Sequence, residues 1–196
     1  MNLNHDLILA SQSPRRKSLL EEAGYSFVVD PPADSVERGL CSNCSPEELV
    51  VESAFLKAAA IANRHAEGLV LAADTVAVCG SETLGKPRDR EHAEVMLRLM
   101  AGKEHRVLTG VCLRFAATAH FRTWLDQTTL VMSPIDEEML ESYLDSDAWV
   151  GKAGAFGYQD GLDWVRVNDG LESTVVGLPI EKLAQWIAEM ETIEQG

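Results

Sequence analysis

Leu7-Ile8-Leu9-Ala10-Ser11-Gln12-Ser13-Pro14-Arg15-Arg16-Lys17-Ser18-Leu19-Leu20-Glu21-Glu22-Ala23-Gly24 is the stretch whose reading decides the fold. Leu7 to Ala10 is uninterrupted apolar sequence and reads as a first buried strand. Ser13 then supplies a helix N-cap, and Pro14 occupies the first helical position, where a missing N–H costs nothing. Gly24 closes the helix that contains Leu19, Leu20 and Ala23, and Tyr25 to Val29 returns as a second strand. Strand, helix and strand in succession predict an α/β protein.

The same alternation continues to the end of the chain. After a polar stretch from Asp30 to Asn43, Ser45-Pro46-Glu47-Glu48 matches a capping box and opens a helix running to about Arg64. Leu69 to Cys79 is a nearly continuous apolar strand. Asp89 to Met100 is a helix stopped by Gly102, and Arg106 to Phe115 with Phe121 to Met132 predict a long hairpin. A short helix from Asp136 to Leu144, a Gly-rich segment over 151–161 and a strand from Trp164 to Val167 follow. Pro179 opens a last helix whose apolar positions Ile180, Leu183, Ala184, Ile187 and Met190 keep the helical period. No repeat, low-complexity tract or linker divides the chain, so residues 1–196 are expected to form a single domain.

Composition narrows the function classes. With 196 residues, 46% of them hydrophobic, the chain has the length to bury roughly 70% of its unfolded surface. No apolar run approaches the ~20 residues that span a bilayer, so no membrane partner is expected. The first residues carry no basic segment ahead of their short apolar stretch, which reads as a cytoplasmic protein. A formal charge of -14 argues against a broad nucleic-acid surface, because that affinity comes from cations neutralising phosphates. A small anionic ligand held by a few local cations remains compatible with it. Cys79 and Cys112 fall in apolar strands and read as core residues. Cys41-Ser42-Asn43-Cys44 is a lone CxxC without a second ligand pair, which supports neither a zinc nor a redox site.

Several residues break structural rules. Arg15, Arg16 and Lys17 occupy the first turn of the first helix, where the macrodipole is already positive, while Glu21 and Glu22 sit near its negative end. Free backbone N–H groups, the dipole and three cations thus converge on one spot suited to a phosphate chain, with Ser11 and Ser13 as hydroxyl donors. Asp74-Thr75 interrupts the most apolar run in the chain. A carboxylate there needs a partner, a metal or a proton, and reads either as a structural aspartate bonded to nearby amides or as a general base or metal ligand. Gly80-Ser-Glu-Thr-Leu-Gly85-Lys86 has P-loop spacing, but Pro87 stands where the magnesium-binding hydroxyl is required, so the reading is a turn whose Lys86 reaches a phosphate. Lys57 shares a helix face with Val50, Ala54 and Ile61 and either snorkels to water or enters a cleft. Gly151 to Gln159 is glycine-dense without matching a dinucleotide motif, and no HExxH or GxSxG is present. Scattered cations, Lys152 among them, with one conspicuous carboxylate suggest phosphoryl-type chemistry assisted by a divalent metal.

Six blocks together carry a resemblance: Ala10-Ser-Gln-Ser13-Pro-Arg-Arg16, Ala73-Asp74-Thr75, Gly85-Lys86-Pro87-Arg-Asp89, Leu108-Thr109-Gly110-Val111, Lys152-Ala-Gly-Ala-Phe-Gly-Tyr-Gln159 and Val175-Val-Gly-Leu-Pro179. In this order the chain resembles the Maf family of septum-formation-inhibitor-like nucleoside triphosphate pyrophosphatases, and specifically its dTTP/UTP subgroup. The resemblance implies an elongated, two-lobed α/β domain with a mixed, twisted sheet flanked by helices and a central cleft, similar to the inosine triphosphate pyrophosphatase fold. It implies hydrolysis of a nucleoside triphosphate to monophosphate and pyrophosphate with magnesium or manganese, a housecleaning role, a link to cell-division arrest, and a homodimer. Position by position, Ser13 and Arg16 match the family's phosphate-binding pair, Lys57 and Lys86 its two cleft lysines, and Asp74 its proton acceptor and metal contact. Arg15, Thr75 and Gln159 match the positions that set a preference for dTTP and UTP. The chain departs from the family at Leu56, where glutamate is usual, at Asp34 and Glu37, which are out of step with an acidic pair, and at Leu171-Glu172 and Thr174. A nucleotide-sensing regulator of septum formation with little catalysis is the alternative these departures suggest, and a phosphatase of small phosphates is a third.

Overall fold

Alternate residues of the first strand, β1 (Leu7–Leu9), enter two different cores. In the computed structural model, which describes residues 5–33, 36, 44–118 and 120–194, Leu7 and Leu9 pack with Leu20, Tyr25 and Trp186, while Ile8 packs with Ala54, Ala58 and Ile61. The period of two that sends neighbouring side chains to opposite faces of a strand is the cause. A strand apolar at every position is therefore covered by helices on both sides, and the buried strand read from the first block of sequence is present.

The described strands form a seven-stranded mixed sheet in the order β2-β1-β3-β5-β6-β7, with β4 paired to β3. β2 (Phe27–Val29) and β3 (Leu69–Cys79) flank β1, and both run parallel to it. β4 (Glu82–Leu84) returns antiparallel to β3, and β7 (Val165–Asp169) antiparallel to β6 (Phe121–Met132). β5 (Glu104–Phe115) and β6 are neighbours joined across residues 116–120, as the expected long hairpin requires. No described helix is long and apolar enough to cross a membrane.

The chain groups into two compact units. The first comprises Met1–Asp74, Thr109–Asp126 and Gly177–Gly196. Its helices are α1 (Pro14–Glu22), capped by the Ser13 side chain, α2 (Pro46–Ala62), opened by the Ser45/Glu48 capping box, and α6 (Ile180–Glu194). The second comprises Thr75–Leu108 and Gln127–Val176. It contains α3 (Arg90–Met100, capped by Asp89), α4 (Glu137–Asp145, capped by Asp136) and the short α5 (Glu172–Val176) around a core that includes Ala77, Leu97, Met100, Leu130 and Trp164. Cys79 and Cys112 are buried and reduced, and burial pushes the Cys112 thiol up to about 12. Cys41, Asp34 and Glu37 lie outside the described residues.

Candidate active site

β1 and β3 are adjacent and parallel, yet the chain leaves β1 toward β2 on one side while β3 lies on the other. Strand order reverses at this point, and open α/β sheets bind ligands outside the carboxyl ends of the strands at such reversals. The register pairs Leu9 with Leu71, and the Ala10 amide donates to the Leu71 carbonyl at 2.8 Å. Carried forward, it brings Ser11 to the level of Ala73, one residue short of Asp74. The topology thus sets the Ser11 to Arg16 turn and Asp74 at the same end of the sheet.

Asp74 follows Val70 and Ala72 on the β3 face that packs against α2. Lys57 points from α2 toward the same face, one turn beyond Ala54 and beside Ala58. The two meet: Lys57 Nζ donates to Asp74 Oδ1 at 2.6 Å, with side chains 10% and 23% exposed. The aspartate that interrupts an apolar strand therefore has a cationic partner, and the lysine on an apolar helix face turns inward instead of snorkelling. Each residue looked anomalous in sequence because it is half of one pair.

The first turn of α1 is held by an interlocked set of bonds. Ser13 Oγ accepts from the Arg16 amide at 3.5 Å, and buried Ser11 Oγ accepts from the Ser13 amide at 3.2 Å and from Arg16 Nη1 at 3.1 Å. Arg16 Nε donates to the Gly177 carbonyl at 2.8 Å, just before α6. The guanidinium is thus fixed from two sides at a helix N-terminus that carries no acidic residue. Arg15 lies in the same turn and is half-buried. Ser11, expected from sequence as a hydroxyl donor beside this turn, accepts here from Ser13 and Arg16, whereas nothing local in the sequence marks the Gly177 carbonyl as a partner of Arg16.

In the second unit, Gly80 and Ser81 form the β3–β4 turn, so the Gly85-Lys86 segment follows a hairpin and not a P-loop strand and helix. Lys86 is exposed. The Gly154 amide donates to the Gly85 carbonyl at 3.0 Å, which joins the Lys86 segment to the glycine-rich loop. Thr75 shares a strand face with Ala77, against which Gly154 packs. Gln159 is exposed in the 3-10 turn Tyr158–Asp160. Lys152, read from sequence as a scattered cation, is ion-paired with Asp160. The expected residues therefore fall into two groups: Ser13, Arg15, Arg16, Lys57 and Asp74 in the first unit, and Thr75, Lys86 and Gln159 in the second.

Among the described residues, the group of three metal-capable side chains is Glu94, Glu137 and Glu141, and it lies apart from Asp74 in sequence and in unit. Those glutamates are engaged by arginines: Arg98 bonds Glu94 at 2.8 Å and Glu137, and Arg90 bonds Glu141 at 2.6 Å. The hydrogen bond from Arg98 holds the Glu137 carboxyl below its ordinary range. This is an ion-pair network between α3 and α4. Asp74 offers a single carboxylate whose Oδ1 is taken by Lys57. One carboxylate completed by phosphate oxygens and water suits magnesium, which dehydrates reluctantly and seldom sits in an all-protein cage.

The sequence profile of the Maf-like proteins matches residues 6–190. A dTTP/UTP pyrophosphatase of Rhodopirellula baltica is 52% identical over 187 residues, covering 94% of this chain and 82% of that protein. The dTTP/UTP pyrophosphatase of Bacillus cytotoxicus is 38% identical, covering 94% and 95%. Among solved structures, a HAM1 protein from Coxiella burnetii superposes with a TM-score of 0.51 at 14% identity, covering 94% of this chain and 99% of that one, which shows a shared fold. With the profile spanning nearly the whole chain, the resemblance read from six motifs is settled, and this chain belongs to the Maf family.

Proposed function

We propose that this chain hydrolyses dTTP and UTP, together with modified pyrimidine nucleotides of similar shape, to the nucleoside monophosphate and pyrophosphate, as a cytoplasmic homodimer with a housecleaning role. The observation that carries the reading is the Lys57–Asp74 pair at the carboxyl end of β1 and β3, level with the Arg16-bearing first turn of α1. The names of the relatives from Rhodopirellula and Bacillus support the substrate.

In this reading the first turn of α1 receives the phosphate chain. Its backbone N–H groups, the Ser13 hydroxyl and the Arg16 guanidinium supply donors in fixed directions, so little reorganisation is needed as charge moves onto the phosphate oxygens. Asp74 is the general base. Lys57 fixes its Oδ1, leaving Oδ2 to accept a proton from water while the water oxygen attacks the α-phosphorus. The bond from the α-phosphorus to the bridging oxygen breaks, and its electron pair leaves on pyrophosphate. Lys86 neutralises charge on the departing group, and Arg15, Thr75 and Gln159 choose the base. Magnesium or manganese, held by Asp74 and the substrate's own oxygens, would supply further neutralisation of the triphosphate.

A nucleotide panel with magnesium in 18O-labelled water tests this. dTTP and UTP are expected to give dTMP or UMP plus pyrophosphate, with the label in the monophosphate. Orthophosphate with a nucleoside diphosphate would overturn the reaction class. Tight binding without turnover under any divalent metal would instead make the chain a nucleotide-sensing regulator of septum formation.

A further inference from the structure

Gln159 sits in a short turn: the Tyr158–Asp160 segment is three residues of 3-10 helix without a side-chain N-cap, and the Asp160 amide donates to the Gly157 carbonyl at 3.0 Å. A glutamine side chain that is free to rotate loses conformational freedom when it is fixed against a ligand. A base-reading amide on such a turn therefore needs outside support if it is to discriminate.

The support comes from the two residues that flank it. Tyr158 Oη donates to Glu172 Oε1 at 2.7 Å, and the Asp160 carboxylate pairs with Lys152 Nζ. The turn is thereby tied on one side to the first residue of α5 and on the other to the start of the glycine-rich loop. A third tie comes from the Gly157 amide, which donates to Tyr143 Oη of α4 at 3.2 Å. Gly157 permits the ion pair: a Cβ there would collide with both the Asp160 carboxylate and Lys152 Nζ. The Glu172 carboxylate raises the Tyr158 pKa above that of an ordinary phenol, so the tyrosine keeps its proton and remains the donor.

We propose that Glu172 and Lys152 are positioning residues for base selection: through Tyr158 and Asp160 they clamp the turn that presents Gln159, and so set the preference for pyrimidine over purine nucleotides. The inference rests on the proposed role of Gln159 as a base contact.

The test measures kcat/KM for dTTP and dATP with the full-length protein and its Tyr158→Phe, Glu172→Ala, Glu172→Gln, Asp160→Asn and Gln159→Ala variants, each checked for a wild-type melting profile. Tyr158→Phe, Glu172→Ala and Asp160→Asn are each expected to lower the dTTP/dATP ratio by roughly three- to tenfold, with the change in KM for dTTP and kcat within about twofold, because hydrogen-bond readout fails when its partner is misdirected. Glu172→Gln keeps an acceptor and should recover most of the ratio. In the Gln159→Ala background the tether changes should have no further effect. Unchanged ratios in the folded tether variants, or equal effects with and without Gln159, would overturn the inference while leaving the proposed hydrolysis standing. A wild-type enzyme that hydrolyses both nucleotides equally would remove the base-contact role of Gln159 and this inference with it. Tyr158→Phe and Asp160→Asn break independent tethers, so one misfolded variant does not spoil the test.

Discussion

Asp74 is flanked by residues such as Ala73 and Val76 that are at most 5% exposed, and the carboxylate is tolerated there because Lys57 meets it. Removing either partner has different consequences. Asp74→Asn keeps the shape and a hydrogen-bond acceptor for Lys57 but cannot take a proton from water, so turnover should fall by about 10^2 to 10^4. Its melting temperature should fall only modestly, since the amide oxygen still accepts from buried Lys57 although it no longer balances the charge. Lys57→Met leaves the carboxylate facing an apolar helix, and should cost stability as well as rate. Steady-state assays with thermal unfolding on both variants separate the two effects. An Asp74→Asn enzyme with wild-type kcat would remove Asp74 from the chemistry. At this scale the sequence showed that Asp74 and Lys57 were out of place, but not that each explains the other, because nothing across the 17 positions that separate them signals pairing. The Arg16 to Gly177 bond spans 161 residues and was equally invisible.

Elements fix where those side chains stand, and the contact between α2 and β5 does so most tightly. Gly110 lies in β5 with no unusual backbone angle, yet a Cβ at this position would fall on the Val50 carbonyl of α2. Gly110→Ala should push away the helix that carries Lys57. A loss of about 2–3 kcal/mol is expected from overpacking against backbone that cannot rotate aside, or roughly 5–10 °C in melting temperature for a chain of this size. Activity should drop even at temperatures where the variant is folded, because Lys57 moves with α2. An alanine variant of unchanged stability and rate would show that the helix has room to shift. Gly110 belonged to a recognisable motif, but its reason is spatial and appears only once the helix is placed. Elements with strong local signals were legible: Ser13 and Pro14 opened α1, the Ser45/Glu48 box opened α2, and Asp89 and Asp136 capped α3 and α4. β4 was not read as a strand, since three residues, two of them exposed, carry no period. α5 was missed because five residues containing Thr174, Val175 and Val176 carry neither helical propensity nor a helical period.

Across the whole molecule, two effects compete as the pH falls. The chain carries a formal charge of -14, so acidification toward its pI of about 4.7 relieves self-repulsion and favours the compact state. His105 works against it. The ring is 2% exposed in β5, set edge-on to Phe156 at 5.4 Å, and burial lowers its pKa from 6.5 to about 4, with a weaker opposing pull from the Lys103 backbone. The folded state holds this histidine neutral while the unfolded chain takes up a proton at the ordinary value. Between pH 6.5 and about 4 the unfolded state therefore binds more protons, and stability falls as pH falls through that window and is level above it. The gap between the two values corresponds to about 3–4 kcal/mol. His105→Phe, which keeps a ring against Phe156, should remove this component and leave only the relief of repulsion. Urea unfolding of both proteins at intervals from pH 7.5 to 4 should show wild type losing stability relative to the variant below pH 6.5, with the difference levelling near pH 4. Parallel curves across the window would mean that His105 finds a way to charge without unfolding, and that the edge-on contact with Phe156 does not exclude water.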